Sequence, residues 1–190
     1  MPLRKSNAIA KKTFKLPASA RVPKSSIMSV YRARVSQHAK QTKQLTISQR
    51  NVIIGTDDSW INAQVINRDP AWAEIDNADY VWSSRDLNSD VAVVSRRFTL
   101  SRRRSILSGS LFLAVDNYAV VLINGRIVVY DAPTNVTANF NPGRQFNIRP
   151  YLRSGPNDIV IVAFNAGGPR SPANPAGVAA RLNIRLSALQ

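Results

Sequence analysis

From Leu45 onward the apolar residues fall into short runs separated by Gly, Pro, Asn and Asp. The runs LTI (45–47), WINAQVI (60–66), DYVW (79–82), VAVVSRRFTL (91–100) and ILSGSLFLAV (106–115) predict strands. So do YAVVLIN (118–124), RIVVY (126–130), FNIRPYL (146–152), DIVIVAF (158–164) and GVAARLNIRL (177–186). Recurrence every ~8–12 residues, with no helical pattern competing, is the signature of an all-β sandwich. The sharpest local signal is VVLINGRIVVY, where Asn124 and Gly125 accept the positive φ angles of a type I′ turn and so predict a hairpin. In SRRFTLSRRRS a period of two places Phe98 and Leu100 inward and Arg97 and Ser101 outward, leaving Arg102, Arg103 and Arg104 in a basic turn. The loops NVTANFNPGR and NAGGPRSPANPAG, rich in Pro, Gly and Asn, are expected at the ends of the sandwich.

Residues 1–44 have a different character. Their apolar residues are sparse, and Pro2, Pro17 and Pro23 interrupt any long helix. A short helix from about Ser25 would bring Ile27, Val30, Tyr31 and Val35 near one face, which suggests docking against a partner. A disordered tail with chance spacing is the alternative. The expected organisation is an extended basic arm, 1–44, followed by a jelly-roll body, 45–190.

Charge sharpens that division. The 190-residue chain carries a formal +15. Eleven of those charges sit in the arm, on Arg4, Lys5, Lys11, Lys12, Lys15, Arg21, Lys24, Arg32, Arg34, Lys40 and Lys43, with no acidic residue among them. The body holds 15 arginines against 11 acidic residues and no lysine. A basic, acid-free arm is a footprint for something anionic: nucleic acid, a lipid surface or an acidic protein groove. The chain has no cysteine, which excludes disulfides and thiolate metal sites. It shows neither a secretory leader pattern nor a long apolar span, so a soluble protein made inside the cell is expected.

Catalytic chemistry finds little support. The sole histidine, His38, lies in the arm, which argues against Ser-His nucleophilic catalysis. Asp57, Asp58, Glu74, Asp76, Asp79, Asp86 and Asp90 supply carboxylates for glycoside hydrolysis, but they cluster in Asn- and Ser-rich turns that suit solvated loops better. Trp60 and Trp82 fall at strand positions where core burial is expected, while Trp72, after NRDPA in a loop, is the candidate for an exposed sugar platform. No nucleic-acid-reading module is visible, so any such contact would be backbone-type and salt-sensitive, through the arm.

In order along the chain, RRFTL, GSLFLAVDNYAVVLINGRIV, FNIRPYLRSGPNDIVIVAFN and PAGVAARLNIRL resemble the galactose-binding-domain-like β-sandwich, an eight- or nine-stranded jelly roll found as an accessory module in many glycoside hydrolases. DNADYVW is similar to its early tryptophan-bearing strand, and the resemblance spans about residues 50–188. It implies a non-catalytic role, either glycan binding at the loop end or structural packing. Some members hold a structural calcium, for which Asp57, Asp58 and Asp116 would be the matching carboxylates here, although turn-forming or capping roles suit them better.

Sandwich and arm together lead to the expectation of a non-enzymatic structural component of a large assembly, a minor capsid or virion protein without cofactor. Its arm would engage neighbours such as a major capsid protein, or nucleic acid. A carbohydrate-binding module using Trp72 and the loops 131–144 and 165–177 is the first alternative. A sequence-independent nucleic-acid-associated protein is the second.

Overall fold

The computed structural model describes residues 24–40, 45–47, 49–131 and 143–189. Arg4, Lys5, Lys11, Lys12, Lys15, Arg21 and Lys43, together with most of the loop 131–144, lie outside them.

Long alternating and apolar runs become long strands. VAVVSRRFTL forms β5 (Val91–Leu100), ILSGSLFLAVD β6 (Ile106–Asp116), YAVVLI β7 (Tyr118–Ile123) and RIVVY β8 (Arg126–Tyr130). GPNDIVIVAF forms β10 (Gly155–Phe164) and GVAARLNIRL β11 (Gly177–Leu186). The shorter strands are β1 (Leu45–Ile47), β2 (Asn51–Gly55), β3 (Ala63–Val65), β4 (Val81–Ser83) and β9 (Arg144–Asn147). They make two sheets. One has the order β1-β5-β10-β7-β8, antiparallel except for the parallel β1–β5 pair; the other runs β3-β4-β11-β6-β9, with β2 paired to β11. The body is an all-β sandwich, as the pattern predicts.

Two segments depart from expectation. FNIRPYL is not one strand: Pro150 cannot donate to a ladder, and the chain turns through a 3-10 segment, Arg149–Tyr151, after β9. WINAQVI keeps only its centre as β3, while Trp60 turns inward and donates its indole N–H to the Gly55 carbonyl at 2.7 Å. β2, with Val52 and Ile54 buried and Ile53 outside, is a strand missing from the expected set.

The inner faces of both sheets meet in one core that includes Trp60, Trp82, Phe98, Leu111, Leu113, Ile161 and Leu182. The hairpin forms as expected, with Asn124 at φ 51° and Gly125 at φ 78°.

The helix is also present, as α1 (Lys24–Ala39). Its partner is the molecule itself. Ile27, 1% exposed, packs with Met28, Val30 and Tyr31 against Tyr118, Val120, Leu122, Val160, Val162 and Phe164, the outer face of the first sheet. The physical reason lies in β7 and β10. Both are apolar on both faces, so their sheet needs a cover on each side.

Candidate functional site

Three regions hold chemistry. The first lies beneath α1. His38 Nδ1 bonds Asp158 Oδ1 at 2.7 Å and His38 Nε2 meets Ser95 Oγ at 3.0 Å. Arg97 donates to both oxygens of the same carboxylate, at 2.8 and 3.1 Å. With Asp158 ionised, the Nδ1 proton is the one donated to it. Burial alone would raise the Asp158 carboxyl, but hydrogen bonds from His38 and Arg97 hold it below its ordinary value of 3.8.

Ser95, His38 and Asp158 thus stand in the order and at the separations of a hydrolytic triad. Their surroundings suit a lock. Ser95 and His38 are both 0% exposed, and the imidazole rides on α1, so lifting the helix to admit a substrate would remove the base with it. No local motif announces this cluster, because its members lie 57 and 120 residues apart from His38. The available signal was a polar Ser95 and Asp158 directly beside the apolar runs VAVV and IVIVAF.

The second region is the end of the sandwich opposite the hairpin. Trp72, expected as an exposed platform, is buried, 5% exposed. Its indole N–H donates to Asp116 Oδ2 at 3.0 Å and its ring lies 4.8 Å from that of Tyr80. Only glycine fits beneath it, since a Cβ on Gly177 would stand 2.5 Å from the indole. Burial pushes the Asp116 carboxyl up to about 6 against the hydrogen bond from Trp72, and Tyr80 is pushed up to about 12, also by burial. The carboxylates offered as calcium ligands are not brought together. Asp57 pairs with Arg96 at 3.3 Å, Asp116 is tied to Trp72, and among the described residues no three potential ligands cluster. Open grooves of about 640 and 450 Å³ run along this flank, the first lined by Asp57, Asp79 and Arg96, the second by Glu74, Asp76 and Arg68. Glu74 and Asp76 pair with Arg68 and Arg181.

The third region is the hairpin end, where arginine accumulates. Asn124 donates to the Tyr151 carbonyl and to Asn157 Oδ1, both at 2.8 Å, and its own Oδ1 accepts the Asp158 amide. Asn157, fully buried, donates to the carbonyls of Arg153 and Gly155. This amide network stitches the turn, the 149–153 segment and the start of β10 into one block. On it stand Arg126, bonded to the Pro150 carbonyl at 2.7 Å with its guanidinium 4.6 Å from the Tyr151 ring, and Arg153, bonded to the Pro156 carbonyl at 2.8 Å. Arg149 reaches the Ile106 carbonyl at 3.2 Å. The predicted basic turn is here too: Arg102 lies over Gly155, Arg103 is exposed, and Arg104 donates to the Ser187 carbonyl.

Of the basic residues in and just after α1, Lys24 sits 5.6 Å over the Tyr130 ring, Arg32 and Lys40 are exposed, and Arg34 is buried against Gln37. No described helix is long and apolar enough to cross a membrane.

No protein-family model matches the chain, and no significant match is found among curated proteins. Among solved structures, similarity is found to an α-L-rhamnosidase from Aspergillus terreus (15% identity, TM-score 0.44, 57% of this chain and 14% of that one). It is also found to a β-glucuronidase from an uncultured Clostridium (9%, TM-score 0.39, 76% and 30%) and to a β-D-glucuronidase from Dictyoglomus thermophilum (12%, TM-score 0.40, 73% and 29%). The chain therefore spans less than a third of the length of each of these three.

Proposed function

We propose that this protein is a non-enzymatic structural component of a large assembly, of the kind a virion shell represents, with a rigid sandwich that packs and a basic arm that tethers neighbours or nucleic acid. The observation that carries the reading is the fastening of α1 to the outer face of the first sheet by Ile27 and by the His38–Asp158–Arg97 cluster. Residues 1–23, which precede the anchored helix in the sequence, hold six basic and no acidic residues. A tether transmits force only if its root is fixed. The reading is non-catalytic because the one serine with a paired imidazole is sealed, and a nucleophile has to meet its substrate. A sugar platform needs an open aromatic face, which buried Trp72 does not offer.

Every lysine lies between Lys5 and Lys43, so amine-directed cross-links report on the arm and helix, apart from those of the chain's own amino group. Cross-linking with mass spectrometry on the highest-mass particle fraction of the native source is expected to join Lys11, Lys15 and Lys24 to a few abundant proteins. Absence from that fraction, or presence without protein cross-links, would overturn the reading.

A further inference from the structure

The carboxylates of the sandwich gather away from the hairpin end, whereas arginines stand at both ends. Asp90, Asp116 and Asp131 lie at the end opposite the hairpin and Asp57, Glu74, Asp76 and Asp79 line the flank grooves, while beside the turn itself stands Asp158. That one is buried and already bonded by His38 and Arg97. Around it stand Arg102, Arg103, Arg104, Arg126, Arg149 and Arg153, and among the described residues none of the six is in an ion pair. Arg50 and Arg185 extend the basic surface along the β2–β11 edge.

We infer that this arginine pole is a binding surface for the phosphate backbone of a nucleic-acid strand, contacted without reading its bases. Two observations point there. Four of the guanidiniums, those of Arg104, Arg126, Arg149 and Arg153, are each pinned by a backbone carbonyl, which fixes their positions and leaves further N–H donors free. Five donors in a rigid fork suit bidentate contact with phosphate oxygens, and pinning removes much of the entropy such a contact would cost. The block beneath them is rigid, because Asn124 and Asn157 close it with buried amide hydrogen bonds.

The competing occupant of the pole is the carboxylate-bearing end of a second copy. Overall charge decides against it. Two chains of +15 repel each other. A polyanion neutralises the pole and gains counterion release with every phosphate bound. The inference stands apart from the assembly reading, which concerns the arm and is tested by protein cross-links.

The test is fluorescence anisotropy of the full chain with a labelled 30-nucleotide single-stranded RNA of mixed sequence, and a second of unrelated sequence, over a salt series. Both RNAs are expected to bind alike. The triple variant Arg126→Gln, Arg149→Gln, Arg153→Gln should bind at least ~10-fold more weakly near 0.1 M salt. Its log–log salt slope should shrink by about 2, near 0.7 for each lost phosphate contact. Should the triple variant fold poorly, Arg102→Gln with Arg103→Gln, which removes only exposed side chains, is expected to reduce the slope by about 1.4. Arg85→Gln with Arg170→Gln at the other end should leave affinity and slope unchanged. Wild-type protein that fails to bind either RNA would overturn the inference, as would pole variants that keep full affinity and slope. Pole variants that lose self-association in sedimentation while retaining RNA binding would also overturn it, and would assign the pole to a second copy.

Discussion

β10 and β11 are ten residues each and central in their own sheets, yet they meet the outside differently. GPNDIVIVAF is buried at nine of its ten positions, because the core lies on one side of it and α1 with its neighbours on the other. GVAARLNIRL is buried at its start, under Trp72 and Tyr80, and then alternates, with Arg181, Asn183 and Arg185 toward solvent. An uninterrupted apolar strand in an antiparallel sheet therefore announces a second layer, whereas an alternating one announces water. In this molecule the second layer comes from the segment that composition alone marks as an arm. A basic segment and a structural segment are not exclusive categories.

That contrast is open to attack at four points. The largest effect is expected from Ile27→Asp, which puts a carboxylate into the apolar layer over Val160 and Val162 and should lower stability by about 4 kcal/mol in urea unfolding. The same substitution at Ile53, 55% exposed on the open sheet, should stay within about 0.5 kcal/mol. Equal losses at the two positions would abolish the distinction between covered and open faces. Next comes His38→Ala, which opens a cavity and leaves Ser95 without its partner; a loss of about 2–3 kcal/mol is expected, and Lys40→Ala, exposed two residues on, should cost almost nothing. Gly125→Val ranks third, at about 1–3 kcal/mol, since a branched residue is forced to φ 78° even though the space beneath Tyr31 would admit a Cβ. Unchanged thermal stability would refute the type I′ geometry.

The smallest effect is a pH dependence of opposite sign at two carboxylates. Asp158 is held below 3.8, so its contribution is present above that pH and fades as pH falls through the lower folded value, loosening α1 in acid. Asp116 is raised to about 6, so its contribution is greatest below 3.8 and is lost as pH rises through about 6. Asp116→Asn keeps an acceptor for the Trp72 indole and should flatten the decline in melting temperature between pH 4 and 7, leaving the acid limb intact. A decline that persists in Asp116→Asn would assign it to another group.

Strand positions were legible where side-chain alternation or a full apolar run extended over many residues, as in β5, β6 and β11. β2 escaped notice because NVIIG is short and Ile53 points outward, and FNIRPYL misled because a proline inside an apolar run ends a ladder. The spacing of Ile27, Val30 and Tyr31 made the helix legible, but its docking surface lies on strands far along the chain, from Val91 on β5 to Phe164 on β10, and no local pattern encodes that pairing. Trp72 shows the same limit. Its loop reads as exposed, yet the hydrogen bond that draws the indole inward comes from Asp116, 44 residues away. The arginine pole was half visible: Arg102, Arg103 and Arg104 are contiguous, whereas Arg126, Arg149 and Arg153 join them only through the Asn124–Asn157 network.

The bond between His38 and Asp158 also sets an order of events in folding. It spans 120 residues, so α1 leaves the ribosome long before either strand beneath it has been made. β7 and β10 must pair before the surface that Ile27 covers exists at all. Closing so long a loop comes late, once strand pairing has already brought its ends together. Until then the growing chain displays an apolar sheet face with its cover waiting at the wrong end of the sequence, and that interval is when it is most exposed to aggregation or to capture by a chaperone.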